Sequence, residues 1–350
     1  MQPRDLSSHA VYGIPGGDGG SEDVRSLDLN QNPFGASPRA IEAVRDHAET
    51  VHEYPKAVHT DLTQAIAERW DVADEQVWLT HSGTGALDYL ARAFLDPGQR
   101  VLHSRPGFSY TPTSARYHSG EADTYELSKA ADFAQTPETV LQGYDGHRIV
   151  YVTTPHNPTG SEMGQDDVRA VADRTDEETL VVCDEAYGEF TGAESAVELV
   201  RERDDVAVVR TFSKAYGLAG MRLGYAVTPD AWADAFARVN TPFSVTTLAC
   251  RAGLAALDDD AHLERTVQTV RWSREYLREH LPVRTWESGG NFVLAAVGDA
   301  TAMAEACLER GVAVRDCSGH GLPGCVRISC GTREETKAAV ETINDVLAAR

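Results

Sequence analysis

Short apolar strands alternate with helices along the middle of this sequence. The strands are predicted at residues 77–80, 100–102, 148–153, 179–183 and 206–210, and helices between them at 83–94 and 166–173. Strands that alternate with helices form a mainly parallel sheet with helices on both faces, so we predict an α/β fold. Ligands of such folds bind beyond the carboxyl ends of the strands. Residues that directly follow a strand are therefore the first candidates for a functional site.

The sequence pattern changes after about residue 240. A long helical stretch is predicted at 245–281, followed by a strand at 291–296, a helix that ends at 310 and a strand at 326–329. This mixture predicts a second, smaller α+β domain. We therefore divide the chain into an N-terminal segment that packs with the small domain (1–40), a large domain (41–240) and the small domain itself (241–350).

The chain is strongly acidic. Its 350 residues include 32 Lys+Arg and 54 Asp+Glu, which gives a formal net charge of −22. Nucleic-acid binding depends on clustered Lys and Arg, and anionic membranes repel acidic surfaces, so both kinds of partner are excluded. The acids are scattered and only four of the basic residues are lysines. Such a composition predicts a surface that stays soluble at high salt.

The remaining composition is that of a cytoplasmic enzyme. No apolar run approaches the roughly 18 residues that a membrane helix needs, and the N-terminus lacks the apolar segment of a secretory signal. Six cysteines are irregularly spaced, and no Cys-x-x-Cys pair occurs. We therefore predict reduced thiols, no metal site and a cytoplasmic location.

One lysine stands at the end of a predicted strand. Lys214 lies in the motif Thr-Phe-Ser-Lys-Ala-Tyr-Gly-Leu-Ala-Gly-Met-Arg-Leu-Gly-Tyr of residues 211–225, directly after the strand at 206–210. Small and apolar neighbours lower the pKa of a lysine by desolvation, which suits Schiff-base chemistry with an aldehyde. On this residue alone, a solvated surface lysine is an equal alternative.

An acid stands at the end of a second strand. Asp184 follows the apolar residues 179–183, and an unpaired buried carboxylate is costly there. A pyridinium nitrogen would supply the missing partner. Tyr187 could then reach the phenolic oxygen of the same ring. The alternative is that Asp184 caps the next segment.

Two further strand ends carry polar turns. Asn157 lies in Tyr-Val-Thr-Thr-Pro-His-Asn-Pro-Thr-Gly (151–160), a tight turn that could present its amide to a ligand oxygen. Gly83-Thr84-Gly85 opens a helix, where backbone N–H groups can approach a phosphate. This glycine turn is weak evidence by itself, because Asp88 breaks the full dinucleotide motif.

Together these motifs resemble the fold-type I pyridoxal-phosphate aminotransferases of class I/II, and most closely the histidinol-phosphate aminotransferase branch. The resemblance runs from Asn-Gln-Asn-Pro-Phe-Gly (30–35) to Val-Arg-Ile-Ser-Cys-Gly-Thr (326–332). Its most specific part is the lysine motif at 213–225. The resemblance implies a pyridoxal 5′-phosphate cofactor, a large cofactor-binding domain and a homodimer with shared active sites.

The resemblance also implies roles for individual residues. Lys214 would form the Schiff base with the cofactor and then carry the proton between the substrate Cα and the cofactor. Asp184 would pair with the pyridine nitrogen, and Asn157 and Tyr187 would bind the phenolate oxygen. Phe108 would stack on the ring, with Tyr110 as the second choice. The cofactor phosphate would be bound by Gly83, Thr84, Gly85, Ser213, Arg222 and Tyr54 of the partner subunit.

The substrate contacts follow in the same way. Arg327 would hold the substrate carboxylate as a bidentate fork, Asn157 would contribute to the same subsite, and Tyr12 belongs to the segment that closes over the substrate in this family. The chain departs from the usual pattern at Gln31, where an acid is common, and at His156, where an asparagine is common. The phosphate loop also lacks the acid that commonly follows its first glycine.

The predicted reaction converts histidinol phosphate and 2-oxoglutarate to imidazole acetol phosphate and glutamate. Two alternatives stay open within the resemblance: a threonine-phosphate decarboxylase, to which residues 314–318 bear some likeness, and an aromatic amino acid aminotransferase. A non-catalytic relative is disfavoured, because it would have no reason to keep Lys214, Asp184, Asn157 and Arg327 together.

Overall fold

The computed structural model describes residues 24–56 and 59–349. Tyr12 lies outside these residues. Within them the strands are β1 (Arg25–Leu27), β2 (Val77–Thr80), β3 (Arg100–Arg105), β4 (Glu121–Glu126), β5 (Ile149–Thr153), β6 (Leu180–Asp184), β7 (Val206–Thr211), β8 (Gly224–Val227), β9 (Phe292–Ala296), β10 (Val312–Asp316) and β11 (Cys325–Ser329). The α-helices are α1 (Pro38–Asp46), α2 (Thr60–Trp70), α3 (Gly83–Phe94), α4 (Tyr110–Tyr117), α5 (Pro137–Leu141), α6 (Gln165–Ala172), α7 (Val197–Val200), α8 (Ala233–Val239), α9 (Thr247–Leu257), α10 (Asp260–His280), α11 (Ala300–Leu308) and α12 (Arg333–Ala348).

The larger sheet has seven strands in the order β2-β8-β7-β6-β5-β3-β4. Strands β3 to β7 run parallel to their neighbours, and only β8 is antiparallel, both to β7 and to β2. This confirms the predicted α/β fold with a mainly parallel sheet. The sequence did not predict β4, because this edge strand is mostly solvent-accessible and lacks a continuous apolar run.

The three central strands β5, β6 and β7 form the floor of the site. Every residue of β6 and β7 is buried, which explains their continuous apolar sequences. In the pairing register Thr153 of β5 lies beside Asp184 of β6, and Asp184 lies beside Val209 of β7. The segments that follow these strands are therefore brought to one edge of the sheet.

The smaller sheet has the order β1-β10-β11-β9. Strand β1 pairs in parallel with β10, with Arg25 beside Val312 and Leu27 beside Val314, while β10, β11 and β9 are antiparallel. The segment after residue 24 thus joins a sheet made from the C-terminal third of the chain. The division at residues 40 and 240 itself stays a prediction.

The predicted helix at 245–281 is two helices. Helix α9 ends at Leu257 and α10 begins at Asp260. Between them Asp259 caps the second helix, because its Oδ1 accepts a hydrogen bond from the His262 N–H at 3.3 Å. No helix of residues 24–56 and 59–349 is long and apolar enough to cross a membrane.

Gly224 lets strand β8 approach the turn before α3. A Cβ atom at this position would lie 2.3 Å from the Gly83 nitrogen and 2.4 Å from the Ser82 carbonyl carbon. Both contacts are with backbone, which cannot swing away as a side-chain tip can. Gly224 is therefore required for the position of the 82–85 turn.

We expect Gly224→Ala to lower the free energy of unfolding by about 1–3 kcal/mol, because overpacking a rigid contact forces the backbone to shift. Gly220→Ala is the matched control, since a Cβ there meets no atom within 4 Å. Urea unfolding followed by tryptophan fluorescence measures both variants. Equal unfolding midpoints for the two would contradict this prediction.

Candidate active site

Four segments meet at the carboxyl edge of the large sheet. Asn157 follows β5, Asp184 ends β6 and Lys214 follows β7. Arg327 of β11 reaches the same place from the smaller sheet, because its Nη1 donates to Asn157 Oδ1 at 2.6 Å. The structure thus brings together residues that are separated by 170 positions in the chain.

The Lys214 side chain is partly buried. Its Nζ donates a hydrogen bond to the Leu29 carbonyl oxygen at 3.1 Å and lies 5.8 Å from the centre of the Tyr187 ring. Burial lowers the pKa of Lys214 to about 7, and the charges of Arg327 and Arg222 act in the same direction. A large fraction of the amine is therefore neutral and nucleophilic near neutral pH. Lys214 is not a solvated surface lysine.

The Asp184 carboxyl is buried without a cation of its own. The Ala186 N–H donates to Asp184 Oδ1 at 3.1 Å, and in the described part of the chain no basic side chain forms an ion pair with it. Burial raises the pKa of Asp184 to about 6, against this hydrogen bond, and the neighbouring Glu185 raises it further. A cationic ring nitrogen would complete such a carboxyl.

The adjacent Glu185, unlike Asp184, is paired with an arginine. Arg210 donates to Glu185 Oε2 at 2.6 Å and to Glu189 Oε1 at 2.7 Å, and its guanidinium lies over Trp70 at 4.6 Å. Glu185 is therefore neutralised on its own side of the strand. Of two neighbouring buried acids, only Asp184 is left for a ligand.

Tyr187 is oriented by Asn30, a residue to which the sequence analysis assigned no role. Asn30 Nδ2 donates to the Tyr187 hydroxyl at 3.0 Å. Asn30 is itself held by Ser329, whose Oγ accepts from the Asn30 N–H and donates to Asn30 Oδ1, both at 2.9 Å. Its backbone is left-handed, with φ of 54°, a conformation that asparagine tolerates better than most residues.

Arg327 is buried among polar partners. Besides Asn157 it donates to the Asp28 carbonyl oxygen at 2.7 Å through Nη2, and its Nε has no hydrogen-bond partner within the described residues. The bond to Asn157 Oδ1 occupies the acceptor end of that amide, so its NH₂ group is free to face a ligand oxygen. Arg327 could exchange its internal contacts for a carboxylate.

A second arginine lies beside it. Arg315 of β10 is paired with Arg327 of β11 in the strand register, and its Nη2 lies 3.6 Å from Asp28 Oδ2. Arg315 was not predicted from the sequence, because only the antiparallel pairing of β10 with β11 brings it beside Arg327. The two guanidinium groups share Asp28 as a neighbour and make this end of the site positive.

The residues predicted to bind a phosphate lie in the first turn of α3 and in the segment that carries Arg222. Gly83, Thr84 and Gly85 form the first turn of α3, and Ser82 caps the helix by accepting from the Gly85 N–H at 3.0 Å. Arg222 lies close enough for its charge to lower the pKa values of both Lys214 and His81. Helix N–H groups and a nearby guanidinium are suited to a phosphate dianion.

Ser213, the residue before Lys214, is also among the residues predicted to bind the phosphate. Its N–H donates to Thr211 Oγ1 at 3.1 Å, and Thr211 Oγ1 donates in turn to Ser213 Oγ at 3.0 Å. The hydroxyl is thereby held next to Lys214, where its proton can be offered to an anion. Phe108 is half-buried, with its ring 6.3 Å from that of Tyr110.

Tyr54 does not join the site within one chain. Its side chain is 85% exposed, and the ring contact found for it in the described residues is with Phe243, at 5.2 Å.

Gln31, one of the departures from the family pattern, is also exposed. At Gly85, a Cβ would lie 2.9 Å from the His81 ring, so the ring occupies the space of the side chain that is absent there.

The fold and this set of side chains define a transaminase of fold type I that uses pyridoxal phosphate. The sequence model of the aminotransferase class I and II family matches residues 22–343. Two curated histidinol-phosphate aminotransferases are similar over the whole chain: that of Haloarcula marismortui is 61% identical, covering 99% of each chain, and that of Natronomonas pharaonis is 60% identical, covering 99% of this chain and 100% of its own. The chain belongs to the class I and II aminotransferases, in the histidinol-phosphate aminotransferase family.

A solved structure agrees with this assignment. The histidinol-phosphate aminotransferase of Sinorhizobium meliloti in complex with pyridoxal-5′-phosphate superposes with a TM-score of 0.84 at 27% identity, covering 93% of this chain and 91% of its own. The predicted family, fold and cofactor are thereby confirmed.

Asp184 gives a pH-dependent prediction for the cofactor-free protein. Its pKa of about 6 lies above the ordinary value of 3.8, so the folded state binds this proton more tightly than the unfolded chain does. Ionising Asp184 therefore costs stability as pH rises towards and through 6. Asp184→Asn removes this cost, and its advantage in unfolding free energy over the wild type should grow by about 1 kcal/mol between pH 5 and pH 7.

Urea unfolding of both proteins at several pH values measures this difference. The comparison of two variants cancels the other titrating groups of the acidic chain. A constant difference between pH 5 and pH 7 would show that the Asp184 carboxyl titrates normally.

Proposed function

We propose that this chain transfers the amino group of histidinol phosphate to 2-oxoglutarate, forming imidazole acetol phosphate and glutamate. The observation that carries the proposal is the identity of 61% over 99% of the chain to a histidinol-phosphate aminotransferase. The site adds a lysine amine of lowered pKa beside a buried acid and two arginines. These are the groups that such a reaction needs.

Several residues fit the cofactor, in the roles that the resemblance implied. Asp184 would pair with the ring nitrogen, Asn157 and Tyr187 would donate to the phenolate oxygen, and Phe108 would stack on the ring. The phosphate would be held by Gly83, Thr84, Gly85, Ser213 and Arg222. When bound, pyridoxal phosphate supplies an aldehyde that condenses with amines and a ring that withdraws electrons.

Lys214 is the proposed proton carrier. Its Nζ has a pKa of about 7, so neither protonation state of the amine is strongly favoured at neutral pH, which suits a group that would accept a proton from the substrate Cα and return it. Arg327 and Arg222 help to keep the amine unprotonated, since their positive charges disfavour an ammonium group. The bond from Asn30 fixes the Tyr187 hydroxyl as an acceptor at one side, so its proton would be available for the ring oxygen of the cofactor.

The two arginines suit a site that must accept two different anionic substrates. Glutamate offers carboxylates, whereas histidinol phosphate offers a phosphate and no carboxylate. We propose that Arg327 binds the carboxylate next to the reacting carbon and that Arg315, its partner in the strand register, binds the distal anion. Tyr12 is proposed to close over the substrate, although it lies outside the described residues.

A homodimer is proposed for the complete site. The Tyr54 ring is 85% exposed in one chain and packs against Phe243, which is 50% exposed. Exposed aromatic pairs of this kind are typical of protein interfaces. In a dimer, Tyr54 of the partner subunit would reach the cofactor phosphate. The cytoplasmic location stays a prediction from the sequence.

Half-reactions with single amino donors test the function. The absorption of the bound cofactor is followed in a stopped-flow instrument after mixing with histidinol phosphate, threonine phosphate, phenylalanine or glutamate. We expect fast amino transfer from histidinol phosphate and glutamate. Release of carbon dioxide from threonine phosphate without amino transfer would instead establish the decarboxylase, and a preference for phenylalanine would establish the aromatic aminotransferase.

Lys214→Ala is the companion variant. Because the amine is the group that condenses with the cofactor aldehyde, we expect no borohydride-fixed cofactor on this variant and a loss of amino transfer of at least about 10³-fold. Mass spectrometry of the reduced protein detects the adduct. An adduct at another of the four lysines would contradict the assignment.

Arg315→Gln separates the two anionic subsites. We expect kcat/KM for histidinol phosphate to fall by about 10–100-fold, since a charged hydrogen bond contributes roughly 1.5–3 kcal/mol. Arg327→Gln is the variant for comparison. It should lower kcat/KM for glutamate at least as strongly as Arg315→Gln lowers kcat/KM for histidinol phosphate. Steady-state kinetics with each donor measures both effects. If Arg315→Gln leaves KM for both donors unchanged, Arg315 does not bind the distal anion.

A further inference from the structure

His156 lies between the two loops that carry the proposed ring contacts. One loop leads from β3 to Phe108, and the other leads from β5 to Asn157. The His156 side chain is completely buried. Its position was noted in the sequence only as a departure from the family pattern, without a function.

Both ring nitrogens of His156 have partners. Nε2 lies 2.9 Å from the Ser104 hydroxyl, which belongs to β3, and Nδ1 lies 2.7 Å from the Thr159 hydroxyl in its own loop. The main chain of His156 adds two bonds: its N–H donates to the Ser161 carbonyl at 2.8 Å, and its carbonyl accepts from the Gly160 N–H at 2.7 Å. The ring is thus fixed at both ends.

Ser104 connects this ring to the turn before Phe108. A Cβ on Gly107 would lie 2.4 Å from the Ser104 carbonyl oxygen and 2.7 Å from its Oγ, so the turn is folded tightly onto Ser104. A shift of the Ser104 hydroxyl would therefore move the turn and the aromatic residue after it.

The ring acts as a neutral connector. Burial lowers the pKa of His156 to about 3, although a hydrogen bond with the Pro106 backbone opposes this. A neutral imidazole has one N–H donor and one acceptor nitrogen. In either tautomer one of the hydroxyls, Ser104 or Thr159, accepts from the ring and the other donates to it, so both contacts can persist across the working pH range.

We infer that His156 is a positioning residue that couples Asn157 to Phe108 and so sets the two contacts on the cofactor ring together. It acts through Thr159 on the asparagine loop and through Ser104 on the phenylalanine turn, and it touches no substrate. The inference rests on the proposed roles of Asn157 and Phe108. Because Arg327 donates to Asn157 Oδ1, the coupling extends to the substrate arginine.

Two amide variants separate the two halves of this connection. Asparagine places its amide near the position of Nδ1 and can keep the bond to Thr159, whereas glutamine reaches the position of Nε2 and can keep the bond to Ser104. We expect His156→Asn to retain the Asn157 contact but loosen Phe108. We expect His156→Gln to do the reverse.

The readouts are the affinity for pyridoxal phosphate and the pH midpoint of the absorption change of the bound cofactor. A loosened Phe108 is detected by the Kd for pyridoxal phosphate, which should rise about 5–10-fold in His156→Asn and in Ser104→Ala. A displaced Asn157 is detected by the pH midpoint, which should rise by about 0.5–1 unit in His156→Gln and in Thr159→Val. The reason is that a weaker hydrogen bond from Asn157 stabilises the cofactor phenolate less.

A merely structural histidine would behave differently. If all four variants lose unfolding free energy yet keep the wild-type Kd and pH midpoint, His156 only fills space and the inference is overturned. Should a His156 variant fail to fold, Ser104→Ala and Thr159→Val still test each half. Failure of the histidinol-phosphate proposal would appear as a different donor preference in the wild type, which leaves these two readouts intact.

Discussion

The parallel pairing of β5, β6 and β7 is the constraint on which the rest of the site depends. It places Asp184 beside Thr153 and Val209, so that the loops after the three strands open at one edge. The strands β6 and β7 are buried on both faces, and a slip of one residue would exchange their two packed faces and displace Asp184 from the edge of the sheet. Asn157, Asp184 and Lys214 therefore occupy one edge on the most rigid part of the fold, and the pKa shifts of the acid and the amine follow from that burial.

The charge of the protein and the charge of its site have opposite signs. The net charge of −22 would repel phosphorylated and dicarboxylic substrates if it extended into the cleft. Instead Arg222 and Arg327 lie close enough to Lys214 to lower its pKa, and Arg315 lies beside Arg327, while Arg210 forms ion pairs with both Glu185 and Glu189. Surface acidity and anion binding are thus separated in space, and the similarity to proteins of Haloarcula marismortui and Natronomonas pharaonis agrees with a surface adapted to salt.

Much of the site could be predicted because its central residues lie in short motifs at strand ends. Lys214, Asp184 and Asn157 were found in this way, and the strands at 77–80 and 206–210 were placed to within a residue. Asn30 and Arg315 could not be found in this way, since their positions depend on tertiary contacts: Asn30 contacts Tyr187, which is far away in the sequence, and Arg315 lies beside Arg327 on the next strand. The break between α9 and α10 was missed because apolar periodicity continues across it, and only the cap by Asp259 ends the run.

The sequence by itself determined the α/β class and the aminotransferase family, and it predicted Lys214 as the reactive lysine, because local apolar patterns and contiguous motifs carry that information. The tertiary structure decided which acid stays unpaired among the described residues, which arginines lie side by side and how His156 joins two loops. These properties depend on burial and on contacts between residues far apart in the chain, and such contacts set both the pKa values and the hydrogen-bond partners. Asp184 and Glu185 show the difference: they are neighbours in sequence, yet the fold gives Arg210 to Glu185 and leaves Asp184 buried without an ion pair among the described residues.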